Sequence, residues 1–194
     1  LAKLTAANFS AEIVNGMQEY TYDGKPHAFE YSVNPVGLTG FVVTYSRYGA
    51  YTEKYTETVP TAVGEYKVRI AREADGLYAE FNSRPSNGNP IMAWVLKINP
   101  ATPTITTRPN VTVNKDGDFV ITNGVAKVGG ENVTGEWTVI DSNKKAITKS
   151  NLTESGVVTV AFLPTENKDN LNGTKADDGT VSNAATVQVP VTID

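Results

Sequence analysis

Apolar and polar side chains alternate with period two at several places along the chain. In Gly64-Glu65-Tyr66-Lys67-Val68-Arg69-Ile70, one side takes Tyr66, Val68 and Ile70 and the other takes Glu65, Lys67 and Arg69. Successive side chains of a strand point to opposite faces, so this stretch predicts a half-buried antiparallel strand. Gly156 to Phe162 follows the same plan 92 residues later, with Val158, Val160 and Phe162 inward. Near the ends of the two halves, Met92, Trp94, Leu96 and Ile98 match Val187, Val189, Val191 and Ile193 at an offset of 95. Phe41 to Tyr45 matches Gly135 to Val139 at 94. Three matches with nearly one offset predict a single fold used twice. Pro190 cannot donate to a ladder, which predicts an edge strand there or an outward-facing nitrogen.

Further strands are expected near 11–15, 28–33, 41–47, 53–58, 65–72 and 91–98, and near 104–107, 110–113, 118–122, 135–140, 157–163 and 185–193. Turn dipeptides such as Asp23-Gly24, Asn34-Pro35, Asp75-Gly76 and Asp116-Gly117 separate them. Good helix formers do not cluster at helical spacing. Short strands at regular intervals predict an all-β protein of two tandem immunoglobulin-like β-sandwich domains, 1–100 and 101–194. The connector is Asn99-Pro100-Ala101-Thr102-Pro103, whose prolines deny donors to a sheet and hold the preceding residues extended.

Composition narrows the chemistry. There is no cysteine and one histidine, His27. No disulfide, thiol nucleophile or Cys-based zinc site is therefore expected, nor a Ser–His–Asp, Cys–His or multi-histidine metal arrangement. The net charge of −4, spread over both signs, gives no footprint for nucleic acid or anionic lipid. No apolar run approaches the roughly 18 residues of a membrane-spanning helix, so no membrane insertion is expected. The chain starts at Leu1 without an initiator Met, and is read as a monomeric fragment of a larger protein.

Tyr22-Asp23-Gly24-Lys25-Pro26, Pro60-Thr61-Ala62-Val63-Gly64-Glu65-Tyr66 and the terminal Leu96-Lys97-Ile98 resemble the bacterial immunoglobulin-like repeat of the MBG or YDG type. Gly135-Glu136-Trp137-Thr138 and Phe162-Leu163-Pro164-Thr165 are similar to a neighbouring bacterial repeat of the same class. The stretch Ala79 to Asn89 is longer than the usual loop at that place. The resemblance implies an extracellular, secreted or bacterial cell-surface stalk, adhesin or binding module. It carries over no catalytic residue, metal or cofactor.

The candidate chemistry is sparse. All nine tyrosines precede residue 80. Tyr45 is expected in the core, in phase with Phe41 and Val43. Tyr48 and Tyr51 flank Gly49 in a hairpin loop, and with Tyr55 they form the candidate contact surface for a host or cell-wall glycan or protein. The plainer reading of that cluster is cross-strand aromatic packing. His27 reads as a turn or surface residue. Asp116-Gly117-Asp118, Asp177-Asp178-Gly179 and the Glu166, Asp169, Asn170 loop lack the spacing of an EF-hand and read as turns. Glu53, Glu57, Glu65 and Glu73 could be paired as glycosidase acids in many ways, so they single out none. Lys3 and Asn99 are a formal pair for an isopeptide crosslink. Five Asn-x-Ser/Thr sequences read as chance matches. The expectation is a non-catalytic module that spaces or presents other domains. The alternatives are a glycan- or protein-binding module built on the tyrosine loops, and an accessory domain of a secreted hydrolase.

Overall fold

The computed structural model describes residues 1–5, 8–10, 16–86 and 90–193. The protein is all-β, with a short 3-10 turn at Lys168–Asn170 and no α-helix among the described residues. Cα proximity divides it into two compact units, Leu1–Thr21 with Lys25–Asn99, and Tyr22–Gly24 with Pro100–Asp194.

The strands of the first unit are β1 (Phe9–Ser10), β2 (Met17–Thr21), β3 (Ser32–Val33), β4 (Val42–Arg47), β5 (Gly64–Arg72), β6 (Phe81–Asn82) and β7 (Val95–Asn99). The main sheet has the order β2-β7-β5-β4, with β6 on β5, and β1 pairs with β3 separately. β2 runs parallel to β7; β7–β5 and β5–β4 are antiparallel. The alternation in β5 is realised as read, with Tyr66, Val68, Ile70 and Arg72 buried and the residues between them half-buried or exposed. Phe9, Phe29, Tyr45, Phe81, Trp94, Leu96 and Ile98 are buried in the same unit. Phe9 organises the aromatic part of this core, stacking on Phe81 at 4.2 Å and meeting Phe41 and Trp94 edge-on. The Tyr45 hydroxyl, carried into the core, accepts from the Phe29 backbone N–H at 2.9 Å, which satisfies a polar group that burial would otherwise penalise.

The second unit contains β8 (Thr104–Thr107), β9 (Asn110–Val113), β10 (Phe119–Thr122), β11 (Val125–Val128), β12 (Glu131–Asn132), β13 (Gly135–Ile140), β14 (Ala146–Ile147), β15 (Gly156–Pro164), β16 (Thr174–Lys175), β17 (Val181–Ser182) and β18 (Ala185–Thr192). Its main sheet has the order β10-β9-β18-β15-β13-β14, and β12-β11-β8 forms a second sheet. The core is Val111, Val139, Val160, Val189 and Val191, with Phe119, Ile121, Trp137 and Val158 packed on it. The six-stranded sheet nearly closes on itself. Asp118 and Lys149 form a bridge, Phe119 N donates to Thr148 O at 2.9 Å, and Ser150 N donates to Gly117 O at 2.8 Å.

The internal repeat extends to connectivity. β2-β7-β5-β4 and β9-β18-β15-β13 have the same order and the same parallel, antiparallel, antiparallel pattern. β5 and β15 are both nine residues long, and β4 and β13 both six. The smaller sheets also correspond, since β1 pairs with β3 as β8 pairs with β11. In the second unit the change of sheet falls at Arg108-Pro109, between β8 and β9. Pro109 is fully buried and has no N–H to leave unpaired where the chain leaves one ladder for the other.

Several expectations are corrected. The strand expected at 28–33 is reduced to Ser32–Val33, and the one at 53–58 to a single Tyr45–Thr56 bridge. The strand expected at 91–98 begins at Val95, although Trp94 keeps its inward place. The strand at 11–15 lies outside the described residues. Val160, Ala161, Phe162 and Leu163 are all buried, so the second half of β15 is covered on both faces rather than one. Ala161 and Leu163 pack with Ile140 and Val181 on the far side. β18 is an interior strand between β9 and β15, not an edge. Its pairing with β9 is confined to Val191 and Thr192, beyond Pro190.

Candidate functional site

The outward face of β5 carries Glu65, Lys67 and Arg69, and the chain that leaves β4 folds back over it. After the turn at Tyr48-Gly49, where Gly49 takes φ +77°, residues 53–56 return alongside β4. Tyr45 and Thr56 exchange both backbone hydrogen bonds, at 2.8 and 3.0 Å, and Lys54 N donates to Ser46 Oγ at 3.2 Å. This return explains why two polar residues of β4, Thr44 and Ser46, are buried. Each has a partner, because Thr44 Oγ1 accepts from Arg69 Nε at 3.1 Å.

Glu53 is the hub of this surface. Its Oε1 accepts from Lys67 Nζ at 2.7 Å and from the Tyr55 hydroxyl at 3.0 Å. The hydrogen bond from Lys67 is the main reason that its carboxyl is held below the usual glutamate range. Burial, and then the bond to Glu53, push the Tyr55 hydroxyl up. Lys67 Nζ lies 5.0 Å from the Tyr48 ring centroid and the Arg69 guanidinium 4.6 Å from that of Tyr55, both within cation–π range. Beyond Arg69 the surface opens into a groove of about 630 Å³ lined by Val42, Thr44, Arg69, Ala71, Glu80 and Asn82, among others.

The three tyrosines singled out in the sequence therefore divide. Tyr48 and Tyr55 lie over cations on the β5 face, Tyr48 being 43 % exposed, while Tyr51 stands wholly in solvent. Rings held over cations next to a groove can stack on and hydrogen-bond a ligand. The acids beside them, Glu53 and Glu65, face Lys67 and Lys97. Sequence reasoning missed Glu53, Lys67 and Arg69 as parts of one surface. The period-two phase places Lys67 and Arg69 together, but nothing local shows that the tyrosine segment returns across them.

The remaining candidates have structural roles. The His27 ring stacks on Tyr20 at 4.4 Å, and its backbone N–H donates to Pro60 O. Asp118 is paired with Lys149 at 2.7 Å and Asp178 with Lys145 at 2.5 Å, so a lysine ammonium stands beside each of these carboxylates. Among the described residues, no group of three or more His, Cys, Asp or Glu side chains is placed to hold a metal ion. Asn99 Nδ2 donates to Glu19 Oε2 at 3.2 Å, across the β2–β7 pair. At the end of β5, the buried guanidinium of Arg72 donates to Thr39 O at 2.8 Å and to Glu73 O at 3.1 Å, and forms an ion pair with Asp75. Compared with family models, curated proteins and solved structures, the chain matches none of them.

Proposed function

We propose that the chain is a pair of tandem immunoglobulin-like modules, similar to the MBG or YDG repeats, and that it serves as a non-catalytic spacer presenting other parts of an extracellular bacterial protein. One observation carries this reading. In both units an early strand lies parallel to the closing strand, β2 beside β7 and β9 beside β18. Tension entering at one end of a unit and leaving at the other pulls such neighbours in opposite directions along their length. The ladder bonds between them are then loaded together in shear instead of one after another. That is the geometry a tether needs, and it asks for no cofactor.

The reading is tested by stretching single molecules in two directions. Pulled through its ends, the chain should open in discrete steps at high force. Pulled through residues placed to unzip an antiparallel pair, such as β4 and β5, it should open at clearly lower force. Equal forces in both directions would remove the mechanical basis of the spacer role.

A second reading is favoured by Tyr51, which is wholly exposed in the segment between Tyr48 and Tyr55. In this reading the outer face of the first unit binds a host or cell-wall glycan or protein. A glycan and matrix-protein screen with the intact chain and with Tyr48→Ala/Tyr51→Ala tests it. Binding that is lost in the double variant supports it, and saturable binding that survives there refutes it.

A further inference from the structure

The two units hold their parallel strands unequally. In the first, β2 and β7 are in register over five consecutive pairs, from Met17 with Val95 to Thr21 with Asn99. Gly16 O extends the ladder by accepting from Val95 N at 2.8 Å, and the Asn99–Glu19 bond crosses the same pair. In the second, the pairing among the described residues is Val111 with Val191 and Thr112 with Thr192. Two prolines account for the difference. Pro109 precedes β9 and Pro190 lies within β18, and neither can donate to a ladder. The rest of β18 is held on its other side by β15, over seven register pairs. The weak join on the load path is therefore the one between β9 and β18.

Outside these pairs the difference is smaller and of the opposite sign, two register pairs between β1 and β3 against three between β8 and β11. Tension on the first unit also meets the Ala2–Tyr78 bridge and the β1–β3 pair. Tension on the second meets the Ala101–Leu171 bridge and the β8–β11 pair. The parallel pairs are the larger difference.

We infer that under tension the second unit opens before the first, making the chain a tether that lengthens in two stages. This rests on the spacer reading above. Forced opening is governed by the barrier to unfolding, and that barrier rises with the number of bonds that must break together. The first step is expected at about half the force of the second, in line with the shorter ladder it breaks.

The sequence supplies a clean test because it contains no cysteine. Thr112 and Thr192 are exposed register partners on neighbouring strands. Such neighbours lie about 4.8 Å apart, within the span of a disulfide. The Thr112→Cys/Thr192→Cys chain would be stretched through peptide tags at its two ends. Reduced, it should show a low-force step followed by a high-force step. Oxidised, it should lose the low-force step. A low-force step that survives oxidation, or two steps at one force, overturns the order proposed here and leaves the spacer reading standing. Smooth extension without steps removes both. As a second route, about 20 Gly/Ser residues inserted between Asp177 and Asp178 should lengthen the low-force step by about 7 nm. Lengthening of the high-force step instead overturns the inference.

Discussion

Gly124 lies against the indole of Trp137. A Cβ at this position would stand 2.5 and 2.6 Å from two indole carbons and 3.0 Å from Pro109 Cβ. Carbon atoms rest at about 3.5–4.0 Å, so Gly124→Ala creates an overlap of roughly 1 Å with the ring. On its other side Trp137 meets Phe162, with centroids 4.8 Å apart, and Phe162 is fully buried. Relief requires moving the ring or the β11 segment, and overpacking of this kind costs about 1–3 kcal/mol. In a unit of about a hundred residues, 2 kcal/mol corresponds to a fall in Tm of about 8–16 °C. Far-UV circular dichroism during heating would follow it, with Gly156→Ala as the control. The added methyl there meets Leu152 at an ordinary 3.7 Å, and the change should stay within about 1 kcal/mol. Trimming the ring should rescue the variant, so that Gly124→Ala/Trp137→Phe falls less than the sum of the single changes. Equal effects at Gly124 and Gly156, or strict additivity with Trp137→Phe, would refute the assignment of Gly124 to close approach by the indole.

Other outcomes are also expected. Ile70→Ala empties a fully buried site in the first unit and should cost about 2–5 kcal/mol. Urea unfolding followed by the fluorescence of Trp94 should register it, and a loss under 1 kcal/mol would show that the site collapses around the gap. Tyr51→Ala, at a wholly exposed position, should change the unfolding free energy of the first unit by no more than about 0.5 kcal/mol. Asp75 is held at about 2 against an ordinary 3.8, first by its hydrogen bond from Arg72 and then by the Tyr78 and Leu77 amides. A carboxyl whose pKa is lowered by folding contributes stability above its unfolded pKa and loses it as pH falls through the folded one. The first unit should therefore weaken between about pH 4 and pH 2, and Asp75→Asn should flatten that part of the profile. An unchanged acid limb in the variant would contradict the pairing.

Where a strand has one wet face and one dry face, its phase can be read directly, as in Tyr66–Ile70 and Leu96–Ile98. β2 escaped notice because it is an edge strand with no fully buried residue, so its sequence Met-Gln-Glu-Tyr-Thr shows no clean alternation. Its free side is partly covered by Gln18, whose amide bonds both the N–H and the C=O of Glu30 in place of a neighbouring strand. The unbroken apolar run Val160–Leu163 is itself the mark of burial on two faces, and it was read for one. The segment at 53–58 meets the free edge of β4 at the Tyr45–Thr56 bridge, but Lys54 N bonds the Ser46 side chain where a ladder would need a backbone carbonyl, so the pairing does not extend. The tyrosine surface was half legible. Exposure at the Tyr48–Tyr51 turn followed from Gly49, whereas Glu53 bridging Lys67 and Tyr55 depends on a long-range return that no local pattern encodes.

The bridge between Asp118 and Lys149 has a consequence for the protein in quantity. A strand with a bare edge recruits other strands, and like sequences set side by side exchange them readily while folding. In the second unit both outer strands of the main sheet are engaged near that bridge. Many copies crowded at one place would find little there to add to, and clumping, where it begins, would be expected to begin at some other edge.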